Sequence, residues 1–498
     1  MITNDQLLEI LKKQYEVLAF VDLADVSKSV NFIYQIFAKC YQDSYKPNQR
    51  IVIYTSHQAP LSLLEHISQA AIDFDISPFF ILHVSPFDIE QNLQKISRDS
   101  MQNAVFSIHK TAKLKDNYRA IETICPLPWM HVEVRNQGDF FPCCVYENDE
   151  PSTYNGIQDY FTHNLEQIRQ QFLQAKPPSG CHKCFSREQN GAISNRQRHI
   201  KFYKKQFLTE WIDHAKIRSL DLKPGNVCNF KCRICGPRNS SLHVHEQLLQ
   251  NPPNNNRIAL IDLNRKGNWF DTNFELSQEI FDISENLINL DLMGGEPLLI
   301  KKVSELIHKL ASDGTSKQIR MHLHTNGSVW PDNIVHLFKN FRAVDIALSI
   351  DNIKDRFELE RGGSWHAVEK NVEKFCKLKN QGVNVYLYTT VNIQNVYYMD
   401  EILSWSDSYN LEVLYNHVRE ESTYPWSLGR LSKQAKQSIV DKFKNHKDQR
   451  LSYIGNLVEN TEISNSEYFI QAVERYDQIR KEQFTKSHKE FAQLMEML

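Results

Sequence analysis

Residues 226–236 read Asn-Val-Cys-Asn-Phe-Lys-Cys-Arg-Ile-Cys-Gly and set thiols at Cys228, Cys232 and Cys235. Intervals of four and then three residues let one short loop wrap three thiolates around a single metal centre. A cubane of four irons normally takes four cysteines, so three leave one iron open to another ligand. The competing reading is zinc, with His243 or His245 as fourth ligand. Zinc sites usually pair two C-x2-C units. Iron–sulfur is therefore preferred once the motifs downstream are counted.

A second cysteine group lies upstream, at Cys125, Cys143, Cys144, Cys181 and Cys184. Met130 to Val134 alternates like a strand, Asn136-Gln137-Gly138 signals a turn, and Asp139–Phe141 makes a return strand. That hairpin carries Cys143 back toward Cys125. Cys181-His-Lys-Cys184 adds a second pair, completing a four-thiolate site for zinc or for an iron–sulfur cluster. Eight of the ten cysteines fall between Cys125 and Cys235, a clustering that argues for metal ligation. Cys40 and Cys376 stand alone in helix-like stretches and read as buried small hydrophobes.

The elements that must position these thiols are α/β. Strand-like runs at Ile217–Leu222, Leu287–Met293, Ile319–Thr325, Val344–Ile350, Val383–Val391 and Leu411–Tyr415 are mostly separated by helix-like stretches. That is a parallel sheet with crossover helices, too few units for an eight-stranded barrel. In such sheets chemistry sits at the carboxyl ends of the strands. The cysteine loop follows the first run and Gly294-Gly295-Glu296-Pro297 the second. Thr325-Asn326-Gly327 ends the third, Ser349 and Asp351 the fourth, and Asn392 and Asn395 the fifth. The two asparagines read as ligand contacts or helix caps.

Residues 1–115 show strand candidates Val17–Asp22, Arg50–Thr55, Phe79–Val84 and Val105–His109, alternating with helix-like stretches. They read as a small α/β domain for docking or recruitment, or as a structural extension, with no phosphate loop. A basic run at Arg196, Arg198, Lys201, Lys204 and Lys205 reads as a solvated helix face, with contact to an acidic substrate or leader peptide as the lesser alternative. Residues 421–498 read as a helical extension, with Glu474, Arg475, Asp477 and Arg480 as salt-bridged surface groups. At 498 residues the chain holds two or three domains, and its formal charge of −2 suggests neither a nucleic-acid nor a membrane partner. No run has the length of a membrane span and no secretory signal opens the chain, so a cytoplasmic protein is expected.

The three-thiol loop followed by Gly294-Gly295-Glu296-Pro297 resembles the radical S-adenosylmethionine (SAM) superfamily, over roughly residues 120–420. The resemblance implies an open partial (β/α)6 barrel at 215–420, a [4Fe–4S] cluster on Cys228, Cys232 and Cys235, and SAM on the open iron. It implies that Gly294, Gly295 and Glu296 face the SAM amino group, Ser349 and Asp351 the ribose, and Arg361 the carboxylate, where a guanidinium can bind in bidentate fashion. Residues 120–212 resemble the auxiliary-cluster modules called SPASM and twitch, through Cys125, Gly138 five residues before Cys143, and Cys181-x2-Cys184. The full form carries more cysteines and two clusters. The five here fit the shorter form, with one second [4Fe–4S] cluster and Cys144 as the spare. In the family this module follows the barrel, whereas here it precedes it.

The implied reaction is reductive cleavage of SAM to a 5′-deoxyadenosyl radical that removes hydrogen from a substrate C–H bond. An external one-electron donor such as flavodoxin or ferredoxin would supply the electron. The first expectation for the substrate is oxidation of a peptide or protein side chain. The alternatives are a dehydrogenase or epimerase of a small hydroxylated metabolite or sugar, and a non-catalytic iron–sulfur or zinc regulatory protein. No catalytic base is identified from sequence.

Overall fold

The computed structural model describes residues 16–22, 49–55, 80–83, 123–147, 155–189, 191–250, 255–418 and 424–498. The expected strand at Val105–His109, the helices expected in the first hundred residues, and Cys40 lie outside the described residues. The chain forms two compact units, one of Met1–Trp129 with Leu165–Ala215, the other of Met130–Asn164 with Lys216–Leu498.

In the first unit β1 (Glu16–Asp22), β2 (Gln49–Thr55) and β3 (Phe80–His83) form a parallel sheet in that order. These are three of the expected strands. The basic run of this unit is not wholly solvated. Arg196 is buried and donates to Glu188 at 3.0 and 2.5 Å and to the Ile124 carbonyl at 3.1 Å.

The second unit holds a sheet of eight strands. In chain order they are β4 (His131–Val134), β5 (Phe140–Phe141), β6 (Ser219–Leu222), β7 (Asn289–Leu292), β8 (Arg320–Thr325), β9 (Ala343–Leu348), β10 (Asn384–Val391) and β11 (Val413–His417). The spatial order is β5-β4-β6-β7-β8-β9-β10-β11, and every pair except β4–β5 is parallel. The six expected strands are all present. The hairpin β4–β5, expected inside a separate 120–212 module, instead extends this sheet from the edge of β6. The physical reason is a four-residue register in which His131 to Val134 pair with Ser219 to Leu222.

The strands alternate, which is unusual in a parallel sheet, where both faces are normally apolar. One face carries Leu220, Leu222, Leu290, Leu292, Met321, Leu323, Ile346 and Leu348, all fully buried. Helix α3 (Lys301–Ser312) buries Val303, Leu306, Ile307 and Leu310, and α5 (Trp365–Lys377) buries Val368, Val372 and Phe375, the stripe that one helix face presents. The opposite strand face, the lumen face, is polar. Glu133, Asp221, Asp291, His322, Asp345 and Asn384 stand in one register row across six strands.

The remaining helices used below are α1 (Ser241–Gln250), α2 (Phe274–Ile283), α4 (Lys354–Arg361), α6 (Met399–Ser408), α7 (Lys433–Phe443), α8 (Gln449–Asn460) and α9 (Glu467–Arg480). The tail is helical, as expected. Arg480, however, is not a surface group, because its side chain has no exposed area and binds Glu246 of α1; Asp477 is partly exposed and pairs with Arg233. No helix among the described residues is long and apolar enough to cross a membrane. Leu323→Ala is expected to cost about 2–5 kcal/mol in urea denaturation, and His322→Gln on the lumen face at most about 1.5 kcal/mol.

Candidate active site

The loop after β6 has little regular hydrogen bonding, so side chains fasten it. Asn226 donates to the Pro237 carbonyl at 2.8 Å, Ser240 to the Phe230 carbonyl at 2.6 Å and Tyr424 to the Ile234 carbonyl at 2.6 Å. The amides of Lys231 and Arg233 donate to the carbonyls of Arg361 and Glu360 at 3.2 and 2.7 Å, at the end of α4. His243 is buried, with Nε2 2.8 Å from the Cys232 carbonyl. A carbonyl only accepts, so Nε2 carries the proton, and Nδ1 faces Glu246 at 3.8 Å rather than a thiol. His245 instead contacts Asn264 Oδ1 at 3.1 Å. Neither histidine is presented as a fourth zinc ligand.

Cys228, Cys232 and Cys235 line one cavity of about 270 Å³, together with Gly294, Gly295, Asn326, Ser349, Asp351 and Arg361. Cys235 hydrogen-bonds Cys232, and that bond, more than the Arg361 charge, lowers the Cys232 thiol to about 7 against the opposing effect of burial. Burial pushes Cys228 up to about 12, and Arg361 acts against it. No group of three or more His, Cys, Asp or Glu side chains among the described residues is arranged to hold a metal ion as it stands. A cubane spreads its thiolates wider than a single ion does. Three thiols bordering one cavity suit a cluster with an open iron.

The Gly-Gly turn after β7 lies backbone to backbone on the start of this loop. Gly295 N donates to the Gly225 carbonyl at 3.1 Å and Glu296 N to the Val227 carbonyl at 2.8 Å. A Cβ on Gly295 would stand 2.3 Å from the Val227 carbonyl oxygen, and Gly294 adopts φ +125°. Glu296 is fully buried and lies behind the turn. Its carboxylate accepts from Asn326 N at 2.7 Å, Thr325 Oγ1 at 3.0 Å and Leu298 N at 3.3 Å. Burial raises its carboxyl to about 7 against those hydrogen bonds. It thereby ties the turn to the end of β8. Asn326 in turn places its amide 3.0 Å from Asn229 Oδ1 and 3.9 Å from the Cys228 sulfur.

Arg361 is buried and ion-paired through Nη1 to Asp351, whose other oxygen accepts from Thr390 N at 2.8 Å. Its Nε has no partner among the described residues. This is a buried cation held in place with a donor left over, as recognition of a ligand carboxylate requires. The Ser349 amide bonds the Thr325 carbonyl at 2.8 Å, and the residue borders the cavity. Asn392 and Asn395 are occupied within their own turn. Asn392 N donates to Asn395 Oδ1 at 2.9 Å, and Asn395 Nδ2 to the Asp351 and Thr390 carbonyls at 2.9 Å.

Sequence reading missed the lumen. Lys223, Met293, His324, Tyr388 and Thr390 also border the cavity. One layer along the strands, Asp291 Oδ1 meets His322 Nδ1 at 2.8 Å, and His322 Nε2 meets the Tyr386 hydroxyl at 2.5 Å. Asp221 hydrogen-bonds Asp291, and burial followed by the Asp291 charge holds its carboxyl well above the usual range. His322 and His324 lie with ring centroids 4.3 Å apart, and burial lowers His324 to about 4. The cations of this face are spoken for. Arg135 and Lys223 pair with Glu133 at 3.0 and 2.6 Å, and Arg320 with Asp345 at 2.6 Å. The available signal was the apolar–polar alternation of Ser219-Leu-Asp-Leu222 and Asn289-Leu-Asp-Leu292.

Of the second cysteine group, Cys125, Cys181 and Cys184 belong to the smaller unit and Cys143 to the larger. Burial first, then the neighbouring Cys181 and Cys184, raise the Cys125 thiol, while Arg196 opposes them. Cys143 is half-buried and Cys144 exposed.

Gly295→Ala is expected to displace the thiol loop and cut iron uptake on reconstitution by roughly half or more. Gly236→Ala, where a Cβ meets nothing within 4 Å, retains it. Colorimetric iron per chain reads both.

Residues 222–405 match the Radical SAM superfamily. A GTP 3′,8-cyclase of Clostridium botulinum (strain Hall, Type A) is 26% identical over 145 residues, 27% of this chain and 44% of that protein. The match thus spans less than half the length of that curated relative. Among solved structures, native anSMEcpe with bound AdoMet is 16% identical over 49% of this chain and 62% of that one, with a TM-score of 0.30. Streptococcus suis SuiB bound to S-adenosylmethionine is 13% identical over 61% of each chain, with a TM-score of 0.29. The family match begins at the last residue of β6, just before the thiol loop, and runs through the strands whose ends meet at the cavity, so residues 222–405 form a radical SAM domain.

Proposed function

We propose that the protein cleaves SAM reductively at a [4Fe–4S] cluster held by Cys228, Cys232 and Cys235, and uses the product to activate a substrate C–H bond. The observation that carries this reading is the cavity that joins three thiols to a buried arginine with an unpartnered Nε. When bound, cluster and SAM together supply a 5′-deoxyadenosyl radical. The chain's part is to bind and orient. Arg361, fixed by Asp351, takes the SAM carboxylate. The backbone of Gly294 and Gly295 faces the ammonium, with Glu296 fastening the turn. Ser349 lies toward the ribose. Lys223, His324 and Tyr388 border the space left for substrate.

The lumen argues about substrate class. A nucleoside triphosphate needs free cations, whereas Arg135 and Lys223 share the Glu133 carboxylate and Arg320 pairs with Asp345. This supports a substrate without phosphates, and oxidation of a peptide or protein side chain is the preferred reading. Dehydrogenation or epimerisation of a hydroxylated metabolite is the second. The hydrogen-bonding row Asp291–His322–Tyr386 favours it, since such groups suit hydroxyls. Cys125, Cys181 and Cys184, all of the smaller unit, are proposed as ligands of a second [4Fe–4S] cluster, and a flavodoxin or ferredoxin to donate the electron.

Anaerobic reconstitution, iron analysis and chromatography of 5′-deoxyadenosine test this. About eight irons per chain are expected for two clusters. Dithionite and SAM yield 5′-deoxyadenosine, and Cys228→Ala abolishes it. Arg361→Met weakens SAM binding by roughly 10- to 100-fold, the worth of a lost charged hydrogen bond. Cys125→Ala lowers iron to about four and leaves basal SAM cleavage. Wild type that makes no 5′-deoxyadenosine sinks the enzyme reading, and unchanged iron in Cys125→Ala sinks only the second cluster.

A further inference from the structure

Arg233 lies inside the thiol loop, between Cys232 and Cys235, and its side chain has no exposed area. Its Nη2 meets Asp477 Oδ1 at 2.5 Å and Glu482 Oε2 at 2.7 Å, the first on α9 and the second just beyond it. Lys481 ends α9 in the left-handed conformation, φ 54° and ψ 42°, and so turns the chain between the two carboxylates. Arg480, equally unexposed, binds both oxygens of Glu246 on α1 at 2.9 Å. Glu246 also lies 3.8 Å from Lys231 of the thiol loop and from His243, which holds the Cys232 carbonyl. Tyr476 stacks between the two guanidinium groups, 5.8 Å from Arg233 and 4.4 Å from Arg480. Farther along, His488 contacts Glu360 at 2.9 Å, and the Glu360 carbonyl accepts the Arg233 amide.

A surface extension has no need of such an arrangement. Buried charges are costly unless paired, and here the paired charges converge on the loop that bears the thiols. We propose that residues 467–488 are a built-in part of the cluster site: an ion-pair latch that orders the thiol loop and sets the local charge felt by the cluster. The proposal rests on the radical SAM reading of that loop. Arg233, Asp477 and Glu482 are positioning residues, since they act through the loop. Their charges act at short range in a buried setting, where salt screens little. Net charge near an iron–sulfur cluster is one of the determinants of its potential. Arg233 favours the more negative, reduced cluster, and the two carboxylates oppose it.

The test uses the full-length chain, reconstituted anaerobically, with iron content, thermal melting and the cluster midpoint potential by EPR-monitored titration. Arg233→Met moves the potential down and Asp477→Asn or Glu482→Gln moves it up, while Arg233→Lys stays near wild type. A merely structural role does not give shifts of opposite sign. The single carboxamide variants leave one carboxylate in place, which protects folding. A variant that melts as wild type but holds less iron also supports the latch. Unchanged iron and potential in all variants, or shifts of one sign only, overturn it. Wild type that takes up no cluster indicts the radical SAM reading instead. Limited proteolysis of the apo chain then decides the latch by itself: faster cleavage within 226–236 in Asp477→Asn and Glu482→Gln supports it, and equal rates overturn it.

Discussion

Three thiols brought to one cavity repel one another once ionised, and the loop that carries them has almost no ladder of its own to resist. The rest of the domain answers that constraint. Carbonyls of the loop are gripped by Ser240, His243 and Tyr424, its amides by the end of α4, and its entry by the Gly-Gly turn. The Arg361 charge favours the ionised form of Cys228, Cys232 and Cys235. Gly295 is needed because the turn approaches the Val227 carbonyl too closely for any side chain, and Gly294 because its φ is +125°. Loop, turn and arginine are therefore one mechanical object, and a shift in any of them moves the thiols.

The lumen follows from a second constraint. A parallel sheet covered by helices on one side must still satisfy the polar face it turns inward. Here it does so by pairing along a register row, so that Glu133, Asp221, Asp291, His322 and Asp345 meet their partners across neighbouring strands. The pairing leaves hydrogen-bonding capacity without a surplus of cations. That separates the cavity's two ends. The thiol end holds the buried Arg361 cation, and the other end presents the His324 imidazole and the Tyr388 phenol.

Much of this was legible in sequence. The six barrel strands announce themselves as apolar runs, and the thiol spacing with Gly294-Gly295 marks the strand ends where ligands bind. What was hidden is long-range or depends on direction. That β4 joins β6 depends on a pairing 88 residues apart, seen also in the contact of His131 with Ser219. Arg233 finds Asp477 at a separation of 244 residues, and nothing local distinguishes Asp477 from a solvated helix acid. Glu296 read as a ligand contact because its motif says so. The structure turns its carboxylate inward to Thr325 and Asn326. Asn392 and Asn395 were ambiguous between ligand and cap, and their amides close a turn instead.

The central claim is that one cavity brings SAM directly onto the cluster of Cys228, Cys232 and Cys235. The most direct measurement is the low-temperature EPR spectrum of the reduced, reconstituted protein with and without SAM, under conditions that prevent turnover. The account predicts that SAM shifts the g-values of the cluster on the three-thiol loop and that Arg361→Met greatly diminishes the shift. A spectrum from that cluster that does not change at saturating SAM would contradict it.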